Sequence, residues 1–140
     1  MNIDKAAILI KKASLEFDRV CNSYLEKFEL TGAQYKVMKY LFEEADNGVR
    51  IVDLEKFYSM SHPTTIGIVQ NLEKKGFIEY RTNPNNTRSR YIVPTKEAYA
   101  QQKELEAVGT DIEKEMTKNL QGDETKELIR LLKKVLDLNN

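Results

Sequence analysis

The chain holds one cysteine, one histidine and no tryptophan in 140 residues, and each scarcity removes a class of function. A single cysteine, Cys21, cannot close an intrachain disulfide, so the expected setting is a reducing cytoplasm. One Cys and one His cannot supply the ~3–4 ligands of a zinc site, so neither a metal nor a cofactor is expected. His62 has no Ser, Cys or acidic partner at an informative spacing. There is also no Gly-rich phosphate loop and no nucleophile beside a base, so an enzyme is not expected.

Long apolar runs are missing too. None approaches the ~18–20 residues needed to cross a bilayer, so no membrane partner is expected. Met1-Asn2-Ile3-Asp4-Lys5 lacks the basic start and apolar core of a signal peptide. Proline and glycine are sparse, at three and six, while 31% of residues are charged and 41% hydrophobic. That composition predicts one ordered, helix-rich, soluble domain over residues 1–140. Net charge is zero, yet its distribution is uneven. Ser61 to Pro94 holds five cations and two anions, an excess of three positive charges; from Thr95 onward eight cations face ten anions. Local field, not total charge, governs attraction to phosphate.

What the chain does have is concentrated between Ser61 and Thr95. Ser61-His62-Pro63-Thr64-Thr65 reads as a helix start: Ser61 is a good N-cap, and Pro63 is tolerated where its missing N–H needs no acceptor. Ile66, Ile68, Val69 and Leu72 give that helix a buried side. Lys74-Lys75-Gly76 ends it, with cations at the negative end of the helix dipole and Gly as the stop. Phe77-Ile78-Glu79-Tyr80-Arg81 and Arg90-Tyr91-Ile92-Val93 are short β-prone runs. Between them Thr82 to Ser89 reads as a polar loop with Arg88 near its tip. A helix suited to a DNA groove beside a basic-tipped hairpin is a winged helix-turn-helix layout.

The flanking segments fit that layout. Ala6, Leu9, Ile10, Ala13, Phe17, Val20, Cys21, Tyr24, Leu25 and Phe28 recur at three- and four-residue steps, predicting an amphipathic helix over 3–28. Thr31-Gly32-Ala33-Gln34 is a capping box, with Leu30 and Tyr35 placed as a hydrophobic staple. Val49-Arg50-Ile51 is placed to add a short strand to the wing. Val52 to Tyr58 reads as a two-turn helix with Leu54 and Phe57 inward, and Ser59-Met60-Ser61 as the turn of the helix-turn-helix. Thr95 caps a long helix through about Leu120, with Ala98, Leu105, Val108, Ile112 and Met116 as its stripe. Gly122-Asp123 separates it from a last helix bearing Leu128, Leu131, Leu132, Val135 and Leu138. The fold expected is mainly α with a small β-hairpin wing: residues 30–95 form the winged helix-turn-helix, and 1–29 and 96–140 are dimerisation helices. The outer apolar faces need a partner, and a second copy of the chain is the simplest one.

In this order and spacing the chain resembles the MarR family of winged-helix transcriptional regulators over nearly its whole length. Leu30-Thr31-Gly32-Ala33-Gln34-Tyr35-Lys36-Val37-Met38 resembles the start of the family's second helix. Leu72-Glu73-Lys74-Lys75-Gly76-Phe77-Ile78 resembles the end of its recognition helix, Asn83-Pro84-Asn85-Asn86-Thr87-Arg88 its wing tip, and Pro94-Thr95-Lys96-Glu97-Ala98 the start of its dimerisation helix. Two departures stand out. The family's wing usually carries an Asp and two adjacent basic residues where this chain has Asn86, Thr87 and Arg88. Pro94-Thr95 and Ala98 replace a common Leu-Thr and later Gly. Cys21 also lies later in its helix than the reactive cysteine of the peroxide-sensing branch, so redox sensing is not implied; a buried, inert thiol is the expectation.

Site residues follow. Ser61, His62, Thr64, Thr65, Gly67, Gln70, Asn71 and Lys74 are the expected recognition-helix contacts. Among them Thr64, Thr65 and Gln70 would reach base edges, and Gly67 would permit close approach to the duplex. His62 is read as a first-turn residue near phosphate. In the wing, Arg81, Asn86, Thr87, Arg88, Ser89 and Arg90 are the expected contacts, with Arg88 entering a narrow A·T-rich minor groove. Arg81, Ser89 and Arg90 would contact phosphate or hold the hairpin base. The resemblance implies a homodimeric repressor on a pseudo-palindromic operator in double-stranded DNA. It also allows a small aromatic effector in a crevice near Phe17, Tyr24 and Tyr35. The competing expectation is a helical dimer whose winged helix binds protein and not DNA, which zero net charge and a thinned wing favour.

Overall fold

The structure, a computed structural model, describes residues 4–83 and 86–138, and the side chains of all of these except 86–89. Helix α1 spans Ala6–Leu25 and passes into a 3-10 turn at Glu26–Phe28. The helix expected to run unbroken to residue 28 therefore tightens in its last turn and ends at Glu29, in the left-handed region at φ 57°. Helix α2 spans Gly32–Glu44 and opens on the anticipated capping box. The Gln34 N–H donates to Thr31 Oγ1 and the Thr31 N–H donates to Gln34 Oε1, both at 3.1 Å. Such reciprocal pairing satisfies two of the helix's orphan donors.

After α2 the chain turns at Gly48, whose φ of 71° suits glycine, and a Cβ there would lie 3.0 Å from the Tyr91 ring. Val49 makes one bridge to Ile92, with the Ile92 N–H donating to the Val49 carbonyl at 2.7 Å. The third strand expected at 49–51 is thus a single bridge, because Ile51 already begins helix α3, Ile51–Tyr58. The Asp53 carboxylate accepts from the Arg50 N–H at 2.8 Å and closes the start of α3. Ser59, at φ 53°, reverses the chain into helix α4, His62–Lys74.

Strands β1 (Ile78–Asn83) and β2 (Asn86–Pro94) pair antiparallel, from Ile78 opposite Pro94 to Asn83 opposite Asn86. The pairing runs further than the β-prone residues indicated, so the polar stretch from Thr82 to Ser89 is largely strand. Its register breaks between Thr82, opposite Arg90, and Asn83, opposite Asn86.

Helix α5, Lys96–Thr117, is capped by Thr95 and packs along α1; helix α6 follows at Gly122–Val135. Gly122 and Asp123 lie in the first turn of α6 and do not form a spacer; Gln121 is the N-cap residue. The core joins Leu25 of α1, Met38 and Leu41 of α2, Leu54 of α3, Val69 and Leu72 of α4, Ile92 of β2 and Leu105 of α5, all essentially inaccessible to solvent. Burying each such side chain stabilises the fold by about 1.5–3 kcal/mol. Phe57 is not among them. It is 64% exposed and lies against Tyr40 and Tyr58, with ring centroids 4.7 and 4.9 Å away.

Two apolar surfaces stay uncovered in a single chain. Leu9, Ile10 and Phe17 of α1 are exposed, as are Leu128, Leu131, Leu132 and Val135 of α6, which has no buried residue. No described helix is long and apolar enough to cross a membrane.

Candidate nucleic-acid interface

Helix α4 is set by its two ends. The Ser61 hydroxyl accepts from the Thr64 N–H at 3.3 Å and lies 2.9 Å from Thr64 Oγ1, to which it donates. At the far end Lys75 closes the helix, and Gly76 turns the chain at φ 81° into the buried Phe77 and β1.

Between those ends, Thr64, Gln70, Asn71 and Lys74 are exposed and Gly67 is half-buried. Their three- and four-residue steps align them along one side of the helix. A Cβ added to Gly67 would meet nothing within 4 Å, so the protein itself does not require glycine there. Val69 and Leu72 fill the core on the opposite side, while Ile66 and Ile68 are only partly covered.

Thr65 is the correction on this helix. It was expected at base edges, yet it is fully buried, and its hydroxyl donates to the Ser61 carbonyl at 2.9 Å. One residue past Thr64 is ~100° around the helix, which turns Thr65 to the core side. His62 is exposed as expected, but it has an acidic partner that spacing did not reveal. Its Nδ1 lies 2.9 Å from Glu55 Oε2 and ties the first turn of α4 to α3.

In the wing, Arg81 is exposed and donates to Glu79 at 3.1 Å. Arg90 lays its guanidinium 4.0 Å from the centre of the Tyr80 ring, a cation–π contact that braces the hairpin. Burial pushes the Tyr80 phenol above its ordinary pKa, with Glu73 adding to the shift and Arg90 opposing it. Both arginines lie toward the turn of the hairpin, Arg81 opposite Tyr91 and Arg90 opposite Thr82, and not at its base beside Ile78 and Pro94. The side chains of Asn86, Thr87, Arg88 and Ser89 lie outside the described residues; their backbone belongs to β2.

Behind this surface lie two crevices. One, of about 590 Å³, opens between α2 and α5, and is lined by residues including Met38, Phe42, Leu105 and Gly109. The other, of about 740 Å³, lies between α1, α2 and α3, with Phe17, Cys21 and Tyr58 in its wall. Tyr35 and Lys39 border both. Of the residues expected at an effector crevice, Phe17 lines the second cavity and Tyr35 both. Tyr24 is partly buried against the core and lines neither cavity. Burial raises the pKa of the Tyr35 phenol, and also that of the Cys21 thiol, which is consistent with the inert reading of Cys21.

Sequence reasoning also missed Lys75. Placed at a helix end it reads as a cation complementing the dipole, but its ammonium donates to the Glu29 carbonyl and to Gln34 Oε1, the latter at 3.0 Å. Tyr58 likewise donates to the Lys36 carbonyl at 2.7 Å and locks α3 to α2.

Comparison with known proteins places this architecture. The profile of the MarR family matches residues 30–89. The multiple antibiotic resistance protein MarR of Escherichia coli is 34% identical over 129 residues, covering 91% of this chain and 88% of that protein. Its counterpart in Salmonella typhimurium is 32% identical with the same coverage. Among solved structures, a mutant of E. coli MarR complexed with operator DNA superposes with a TM-score of 0.82 at 32% identity, covering 96% of this chain and 95% of that one. The S. aureus MepR–DNA complex shares the fold with a TM-score of 0.85 at 22% identity, over 95% of this chain and 97% of that chain. With its capped α2, its α3–turn–α4 unit and its two-stranded wing in the same order, the chain belongs to the MarR family.

Proposed function

We propose that the protein is a homodimeric, sequence-specific DNA-binding transcriptional regulator, acting as a repressor that a small-molecule effector releases. The observation that carries this reading is the exposed polar stripe of Thr64, Gln70, Asn71 and Lys74 on α4, flanked by the wing. Gln can pair bidentately with adenine, a Thr methyl can pack on thymine, and a lysine meets phosphate. The E. coli relative complexed with operator DNA supports the assignment at 32% identity over nearly the whole chain. Dimerisation is supported by the uncovered apolar faces of α1 and α6. Two symmetry-related copies of α4 then enter successive major grooves, so the operator is pseudo-palindromic with half-sites about one helical turn apart.

Release by an effector requires a ligand that binds the DNA-competent and incompetent arrangements unequally. The crevices bordered by Tyr35 are where such a ligand is best accommodated, since they separate the α2–α4 unit from α1 and α5. The test is a titration of duplex DNA at two salt concentrations. Phosphate contacts make affinity fall steeply with salt. A protein that shows no salt-dependent binding to any duplex instead uses its winged helix to bind protein.

A further inference from the structure

Three side-chain hydrogen bonds close a ring around the base of the recognition helix. The Tyr35 hydroxyl, in the first turn of α2, donates to the Leu105 carbonyl of α5 at 3.2 Å. At the start of α5, Thr95 Oγ1 donates to the Gly76 carbonyl just past α4, at 2.6 Å, while accepting from the Ala98 N–H as the α5 cap. From the end of α4, Lys75 Nζ returns to α2, donating to Gln34 Oε1 at 3.0 Å and to the Glu29 carbonyl. Gln34 is buried, and the same amide oxygen also accepts from the Thr31 N–H.

The ring meets the crevices at Tyr35. Tyr35 borders both and is the immediate neighbour of Gln34. Gly109 of α5 faces its hydroxyl so closely that an added Cβ would stand 3.1 Å from Tyr35 Oη. Tyr35 shares the first turn of α2 with Gln34, which accepts from Lys75 at the end of α4.

We infer that Gln34 and Lys75 are positioning residues for DNA recognition: they carry the position of Tyr35, and hence the state of the crevices, to the C-terminal end of α4. This rests on the DNA-binding reading for one of its two readouts only. A ligand that moved Tyr35 would alter the angle at which Gln70 and Lys74 are presented, without touching the DNA surface.

The test needs no ligand, because Gly109→Ala pushes on Tyr35 from the α5 side. Hydrogen exchange over residues 71–77 reports on the end of α4 without DNA. Affinity for a duplex selected from a random pool by the wild-type protein reports on recognition. Gly109→Ala is expected to speed exchange at 71–77 and weaken binding by about five- to tenfold, the scale of coupling between directly bonded groups. The same change introduced into Lys75→Met, or into Tyr35→Phe, should add nothing further to either readout. Lys75→Met keeps an unbranched apolar stem and removes the charged donor, and thermal melting identifies any variant that fails to fold; Lys75→Ala then takes its place. Full additivity of Gly109→Ala with Lys75→Met in exchange overturns the inference, as does unchanged exchange in Gly109→Ala alone. If the wild type selects no duplex, the DNA-binding reading fails, while the exchange data still decide the coupling.

Discussion

The hydroxyl of Thr65 donates to the carbonyl of Ser61 at 2.9 Å, and the Thr65 N–H donates to the same carbonyl at 3.0 Å. A residue with the right chemistry for a base contact is thereby spent inside its own helix turn. Thr65→Val preserves the shape and leaves the Ser61 carbonyl its backbone donor. It should cost at most about 1 kcal/mol of stability and leave sequence preference unchanged. Chemical denaturation gives the first quantity and binding to operator point variants the second. A change in base preference with Thr65→Val would place that side chain at the DNA after all.

Gly67 offers a cleaner separation of fold from function. In the free protein nothing lies within 4 Å of a Cβ built there. Alanine in a helix interior is better than glycine by about 0.5–1 kcal/mol, so Gly67→Ala should raise the melting temperature slightly. If α4 approaches the duplex along this side, the same methyl should weaken DNA binding by about 1–3 kcal/mol, the usual cost of overpacking a closed interface. Unchanged affinity would mean that the duplex does not approach Gly67.

The contrast between these two positions shows what could be read before the structure. Local chemistry was legible: the capping box of Thr31 and Gln34, the caps at Ser61 and Thr95, and the stop at Gly76 are each settled within a few residues. Polarity alone misjudged the wing, because Thr82, Asn83 and Asn86 pair through backbone groups that every residue carries. Phe57 looked inward by periodicity, but α3 has only eight residues and Leu54 already fills its core position, so the ring goes to Tyr40. The bonds that tie α4 to the rest of the chain were illegible for a different reason. Lys75 meets Gln34 across 41 positions and Tyr35 meets Leu105 across 70, and such pairs acquire meaning only once the chain has folded.

Assembly can be tested where a lone chain would be indifferent. Leu132 is 36% exposed and Val135 61% exposed in one chain, so a carboxylate at either position costs an isolated chain little. In a dimer built on α6 it would be buried without a partner, which is expensive. Leu132→Asp and Val135→Asp should therefore lower the sedimentation coefficient and abolish cooperative operator binding. A wild-type protein that sediments as a stable, folded monomer at micromolar concentration would contradict the dimer.

The last prediction separates base reading from phosphate anchoring on the stripe of α4. Gln70→Ala should cost about 1–3 kcal/mol on the best operator and little on random DNA, because only a matched base edge rewards the amide. Lys74→Ala should weaken both duplexes alike and flatten the salt slope by roughly one unit, since a phosphate contact carries no sequence information. Arg88→Ala should lose most where the outer segment is A·T-rich, because a narrow minor groove concentrates negative potential. Fluorescence anisotropy on the operator, on a version with G·C flanks and on a scrambled duplex distinguishes the three. An equal loss for Arg88→Ala on all of them makes the wing a general electrostatic anchor. If neither Gln70→Ala nor Arg88→Ala changes affinity, this surface does not read DNA, and the exposed face of α4 belongs to a protein partner.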